Sequence, residues 1–283
     1  LFVLNGQEIA MKKHTSRLSV DFLEKRILLA GDGGNILGMD PFQPGPVAQP
    51  DLRPAAPPIL YPLSSVPQLS SLPSAPINIY LNFVGDTVSS WPVINPATKK
   101  PYVPGTIPAY DDDGDATTFN TTELANIQAI WAEVSDKYSP FNINVTTIKP
   151  ANLSHGVTFQ MDIGGTNAWL GFGSGVAVIG GFTNTDAEAN VGFCFSTQDP
   201  DDINFVAADC AHEPGHGFDL NHQGTVTNGV VTEYSNGDAT TCPIMGNANN
   251  NDNKRGIWFD GTETGLDSNG NPIVLGTQDD LSV

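Results

Sequence analysis

The spacing of apolar residues changes several times along this chain, and each change marks an element. Ile77-Asn78-Ile79-Tyr80-Leu81-Asn82-Phe83-Val84 alternates and is rich in β-branched and aromatic residues, which predicts a strand. Asn120-Thr121-Thr122-Glu123 then reads as a capping signal. Leu124, Ile127, Ile130, Trp131 and Val134 follow at helical spacing, predicting a helix to about Tyr138 that Pro140 stops. Phe141–Ile148, Val157–Ile163, Val176–Phe182 and Val191–Phe195 read as four further strands separated by glycine-rich turns. Asp199-Pro200-Asp201-Asp202 puts acidic residues where a helix has its positive end, so a second helix is expected from about Ile203. Strand, helix, strands, helix is the order of an α/β (α+β) domain with a mixed sheet and two main helices. After residue 222 the pattern fades into Gly and Asn, which predicts an irregular C-terminal subdomain.

Upstream, the pattern is broken by proline. Residues 41–76 hold 11 of the chain's 22 prolines, which predicts a disordered linker without a packed core. It would separate a head, residues 1–40, from a globular region, residues 77–283. No run of eighteen apolar residues occurs, so no membrane-spanning helix is expected. Charge follows the same division. Residues 1–60 are balanced, with six basic and six acidic residues, whereas 77–283 carry six basic and 25 acidic ones, the whole formal charge of -19. Phosphate would be repelled, which argues against nucleic acid or anionic membrane as partners. Three cysteines, Cys194, Cys210 and Cys242, permit at most one internal disulfide.

Candidate chemistry is concentrated in eleven residues, His212-Glu213-Pro214-Gly215-His216-Gly217-Phe218-Asp219-Leu220-Asn221-His222. Residues i and i+4 share a helix face, so His212 and His216 can point at one ion. Glu213 lies one position round, within reach of a water on that ion. His222, past the helix end, can complete a three-nitrogen site with one position open for water, the catalytic arrangement of zinc rather than the structural one.

Downstream lies Cys242-Pro243-Ile244-Met245-Gly246, a candidate tight turn presenting Met245. The extended histidine motif with such a methionine turn resembles the metzincin metallopeptidases, of the reprolysin-like kind in bacterial secreted proteins. The resemblance spans residues 77–246. It implies a mostly parallel sheet with an antiparallel edge strand, Val176–Phe182, lying along a substrate cleft. It implies Zn²⁺ held by His212, His216 and His222, Glu213 as general base and acid, Met245 as an apolar floor, and hydrolysis of a protein or peptide substrate. The chain departs from the family at Asp219, where glycine is usual, at Pro214 inside the motif, and at Asn247, where some members carry tyrosine. A metzincin scaffold kept as a catalytically impaired cell-surface binding module is therefore the alternative reading.

Two further segments bear on cofactors and location. Asp111, Asp113 and Asp115 alternate in Asp111-Asp112-Asp113-Gly114-Asp115 and are candidates for Ca²⁺, against a plain solvated acidic turn. In the head, Leu23-Glu24, Arg26 and Leu28-Leu29 resemble the N-terminal segment of many extracellular and cell-surface proteins of planctomycete bacteria. That resemblance implies export, to the medium or the cell envelope.

Overall fold

The computed structural model describes residues 59–198, 202–248 and 254–282. The expected export segment, residues 1–40, and residues 41–58 of the expected linker lie outside them.

Five strands form the central sheet: β1 (Ile77–Asn82), β2 (Ile143–Thr146), β3 (Thr158–Ile163), β4 (Gly175–Val176) and β5 (Val191–Cys194). Their order is β4-β5-β3-β1-β2. Pairings β1–β2, β1–β3 and β3–β5 are parallel, and β4 joins β5 antiparallel at the edge. The expected edge strand Val176–Phe182 is shorter than its sequence pattern. Beyond Val176 the backbone bonds elsewhere: Gly180 and Phe182 donate their N–H groups to the carbonyls of His216 and Gly217, at 2.9 and 3.0 Å. The edge chain thus leaves the sheet to satisfy the end of the histidine helix.

Helix α1 (Thr121–Tyr138) begins in a complete capping box. Asn120 accepts from the N–H groups of Thr122 and Glu123, and Glu123 Oε2 accepts from the Asn120 N–H at 2.7 Å. Ile127, Ile130, Val134 and Tyr138 form its buried stripe. They pack with Ile79, Leu81, Val145, Phe159, Met161 and Ile163 from one face of the sheet. Each such aliphatic side chain contributes roughly 1.5–3 kcal/mol by leaving water. Helix α2 (Ile203–Gly217) shares this core through Val206, Ala207, Cys210 and Ala211.

The opposite sheet face is divided. Around β5 it is apolar, with Val191, Phe193 and Phe195 against Trp91, Trp169 and Val88. Around β1 and β3 it is polar and buried, with Tyr80, Asn82, Gln160 and Asp162.

Two expectations are corrected. Residues 59–76 are not a disordered linker. Tyr61–Pro62 pairs with Thr118–Phe119, and Leu63 and Val66 pack against the core. Residues 69–71 run along β2: Thr147 N–H donates to the Leu69 carbonyl, and Ser71 N–H to the Val145 carbonyl, both at 3.0 Å. The prolines stand at 62, 67, 73 and 76, leaving Gln68–Leu72 with every N–H it needs to cover an edge strand. Nor is the C-terminal part irregular. Strands β6 (His222–Thr227), β7 (Val230–Thr232), β8 (Asp260–Leu266) and β9 (Pro272–Asp279) form an antiparallel sheet ordered β7-β6-β8-β9. β6 and β8 are mostly polar, β8 reading Asp-Gly-Thr-Glu-Thr-Gly-Leu, and the aliphatic residues of β9, Ile273-Val274-Leu275, are consecutive and exposed, so no apolar alternation announced the sheet.

Candidate metal centre

Helix α2 carries the first half of the site. Asp202 caps it, accepting from the Phe205 N–H at 3.0 Å. The residues before it, 199–201, lie outside the described ones. Pro214 sits inside the helix without ending it. A proline there removes one backbone donor and crowds the preceding turn, at a cost of about 3 kcal/mol. The helix is held from outside: Phe205 through Gly217 are all buried, and the Tyr138 hydroxyl donates to the Ala211 carbonyl at 2.9 Å.

The exit from α2 makes the second half. Asp219 has φ +75°, the left-handed conformation that aspartate tolerates better than most residues. Its N–H donates to the His216 carbonyl at 2.9 Å, and that of Leu220 to the Gly215 carbonyl at 3.0 Å. The chain reverses there, and His222 opens β6 beside the helix.

His212, His216, His222 and Glu213 are buried, none more than 2% exposed. His212 Nδ1 lies 2.7 Å from the Ile244 carbonyl, and His216 Nδ1 lies 2.6 Å from the Leu220 carbonyl. A carbonyl only accepts, so Nδ1 carries the proton in both neutral rings and Nε2 carries the lone pair. Those two Nε2 atoms face each other at 3.0 Å. Nitrogens sharing one tetrahedral zinc would stand about 3.3 Å apart, a close fit. His222 Nδ1 is held by Glu233 Oε1 at 3.0 Å, and one ligand nitrogen from each of the three histidines falls within 4.8 Å of the others. Three imidazoles, each with its far nitrogen tied to an acceptor, form a donor set suited to zinc.

Met245 lies beneath. It is fully buried, and a Cβ on Gly215 would come 2.4 Å from its Sδ. Its segment is fixed at three points: Gly246 N–H to the Pro243 carbonyl at 2.9 Å, Ile244 N–H to the Ile257 carbonyl at 2.8 Å, and Gln223 N–H to the Met245 carbonyl at 2.8 Å. The same turn therefore supplies the Ile244 carbonyl that orients His212. Glu213 lies against the edge strand, where a Cβ on Gly175 would stand 2.7 Å from its Oε1.

Compared with models of known protein families, with curated proteins and with solved structures, the chain finds no match in any of the three.

Two residues beside the histidines were not singled out in the sequence, Glu233 and Tyr234. The Tyr234 ring lies 4.2 Å from that of His222, centroid to centroid. Burial, and then the charges of Glu233, Glu213 and Asp209, push its phenol well above the usual range. A signal for them existed. Asn228-Gly229 is a two-residue hairpin turn, here with φ of +51° and +79°. Its register sets Thr225 opposite Thr232, which carries residues 233–235 back beside 222–224.

The acidic loop is rearranged relative to expectation. Asp111 and Asp113 converge with Glu123, while Asp115 is drawn off by Thr117 and Thr118. Glu123 is fully buried, and burial raises its carboxyl pKa while bonds from Asn120 and Asp112 N–H groups lower it. Cys194, Cys210 and Cys242 are buried thiols, and no disulfide forms among the described residues. No helix among those residues is long and apolar enough to cross a membrane.

Proposed function

We propose that this chain is a zinc-dependent endopeptidase of the metzincin kind, exported to the cell surface or beyond. The observation that carries the reading is the convergence of one ligand nitrogen from each of His212, His216 and His222 within 4.8 Å, the far Nδ1 of each tied to an oxygen. The methionine turn under Gly215 adds to it. His212, His216 and His222 would hold the ion as neutral imidazoles. Zinc, when bound, would supply a Lewis acid that acidifies water and polarises a scissile carbonyl.

The rest is done by the chain's own residues. Glu213 accepts a proton from the attacking water and delivers it to the departing amine, so one water is consumed, the amide bond breaks, and an acid and an amine result. Its carboxylate lies against Gly175 on the edge strand, beside which an extended peptide backbone could pair. Burial around Glu213 keeps bulk water away from the transferring proton.

One observation favours the binding-module alternative: all four motif side chains are almost fully buried. The experiment that decides uses the full chain, because residues 59–76 belong to the fold. Bound zinc and casein cleavage are measured for the native protein and for Glu213→Ala. Zinc in both with cleavage only in the native protein is expected. Zinc in both with cleavage in neither would favour the binding module, and a folded chain without zinc would end the metal reading.

A further inference from the structure

The three candidate ligands are not held alike. His212 and His216 ride on a buried helix, and their Nδ1 atoms meet neutral backbone carbonyls. His222 stands on a strand, beyond a turn in a left-handed conformation, and its Nδ1 meets a carboxylate. A charge-assisted bond is roughly twice as strong as a neutral one and makes the opposite nitrogen a better donor to metal.

The backbone that carries this carboxylate is itself anchored. Thr264 Oγ1 donates to the Glu233 carbonyl at 2.7 Å and lies 3.3 Å from the His222 carbonyl, so one hydroxyl ties both backbones together. Ser235 N–H donates to the Gln223 carbonyl at 2.7 Å, pinning the next residues of both segments. Between these two ties sit Glu233 and Tyr234. One takes the imidazole N–H and the other covers the ring at 4.2 Å and 43°.

Resting on the zinc reading, we infer that Glu233 and Tyr234 are positioning residues that lock the third ligand, so that the β6–β7 hairpin sets the strength with which the metal is held. The helix supplies two donors that need little further ordering. The third would otherwise rotate about its own side-chain bonds, and the hairpin's return chain removes that freedom.

The test uses the full-length protein with Zn²⁺ and Co²⁺ as probes. Affinity is read by competition with a chromophoric chelator, ligand geometry by the Co²⁺ absorption bands, and folding by circular dichroism. Variants are Glu233→Gln, Glu233→Ala and Tyr234→Phe. Gln keeps the size and an acceptor oxygen but loses the charge. Expected is a graded loss, about 10–100-fold for Ala, less for Gln, least for Phe, with altered Co²⁺ bands for both Glu233 variants and unchanged circular dichroism. If Gln binds both metals as the native protein does, with the same Co²⁺ bands, the inference is overturned while the zinc reading stands. If the native protein takes up neither metal, both fall together.

Discussion

The histidine centre and the acidic loop both gather three potential ligand groups within 4.8 Å, yet they are built on opposite principles. In the acidic loop the protein's own donors bond to the carboxylate oxygens. Asp111 Oδ1 accepts the N–H groups of Asp113, Gly114 and Asp115; Asp113 accepts from Asp115 N–H and from Asn120 Nδ2; and Glu123 accepts from Asp112 and Asn120. In the histidine centre the hydrogen bonds go to the far nitrogens, and two lone pairs are turned toward each other. Convergence alone therefore says little about a metal. The direction of the tying hydrogen bonds separates an acidic turn that bonds to its own carboxylates from the set of nitrogens on which the zinc proposal rests.

The sharpest way to break this contrast is through Glu213. Glu213→Gln should lower peptide cleavage at least about 10²–10⁴-fold, the range for a lost general base, with zinc content unchanged by elemental analysis. Zinc lost together with activity would show that the residue serves the fold instead. Metal removal should come next in size. With zinc at about 1,000 times its Kd, binding adds roughly 4 kcal/mol of stability, so a strong zinc chelator should lower the thermal midpoint, while a calcium-selective chelator should leave it in place. A drop with the calcium-selective reagent would mean that the acidic loop does hold an ion. Within that loop, Glu123→Ala removes a buried acceptor from two N–H groups and should cost about 1–3 kcal/mol in urea unfolding.

Asp162 tests the principle from another side. It is fully buried; its Oδ1 accepts from Asn82 and Gln160, both at 2.8 Å, and its Oδ2 has no hydrogen-bond partner among the described residues. Burial pushes its carboxyl up to about 7. A carboxyl raised on folding favours the native state when protonated, so its contribution is full below the ordinary value near 3.8 and is lost as pH rises through about 7. Asp162→Asn should flatten that slope in urea midpoints measured between pH 5 and 8, and an unchanged slope would contradict it. The smallest effect is expected at Asp219. Glycine relieves the left-handed strain, so Asp219→Gly should alter stability by less than about 1 kcal/mol in the same urea assay.

How far the sequence could be read follows from the same physics. The helices were legible because their apolar stripes and caps are local: Asn120 and Glu123 bond to each other across three residues. The central sheet was legible because β1 and β3 send one set of side chains into a single apolar core. The C-terminal sheet was hidden because β6 and β8 are rich in Thr and Gly and the aliphatic residues of β9 are consecutive rather than alternating. The ordered stretch at 59–76 was hidden because proline frequency does not say where the prolines stand. In the site, the convergence of His212, His216 and His222 was legible from spacing. Glu233 was not, since its tie to His222 depends on hairpin register rather than on any interval along a helix. The turn of Asp115 away from Asp111 and Asp113 was not legible either, since alternation suggests convergence, whereas Thr117 and Thr118 donate to its oxygens.

The short run at residues 69–71, lying along β2, has a consequence for how the protein behaves in solution. An uncovered edge strand is a template on which other chains can pair. A shortened protein starting at Ile77 would keep His212, His216 and His222 and every strand of the central sheet, yet it would bare the β2 edge. Such a fragment should self-associate on concentration, and its precipitation would report a missing guard against aggregation rather than a fault in the metal site.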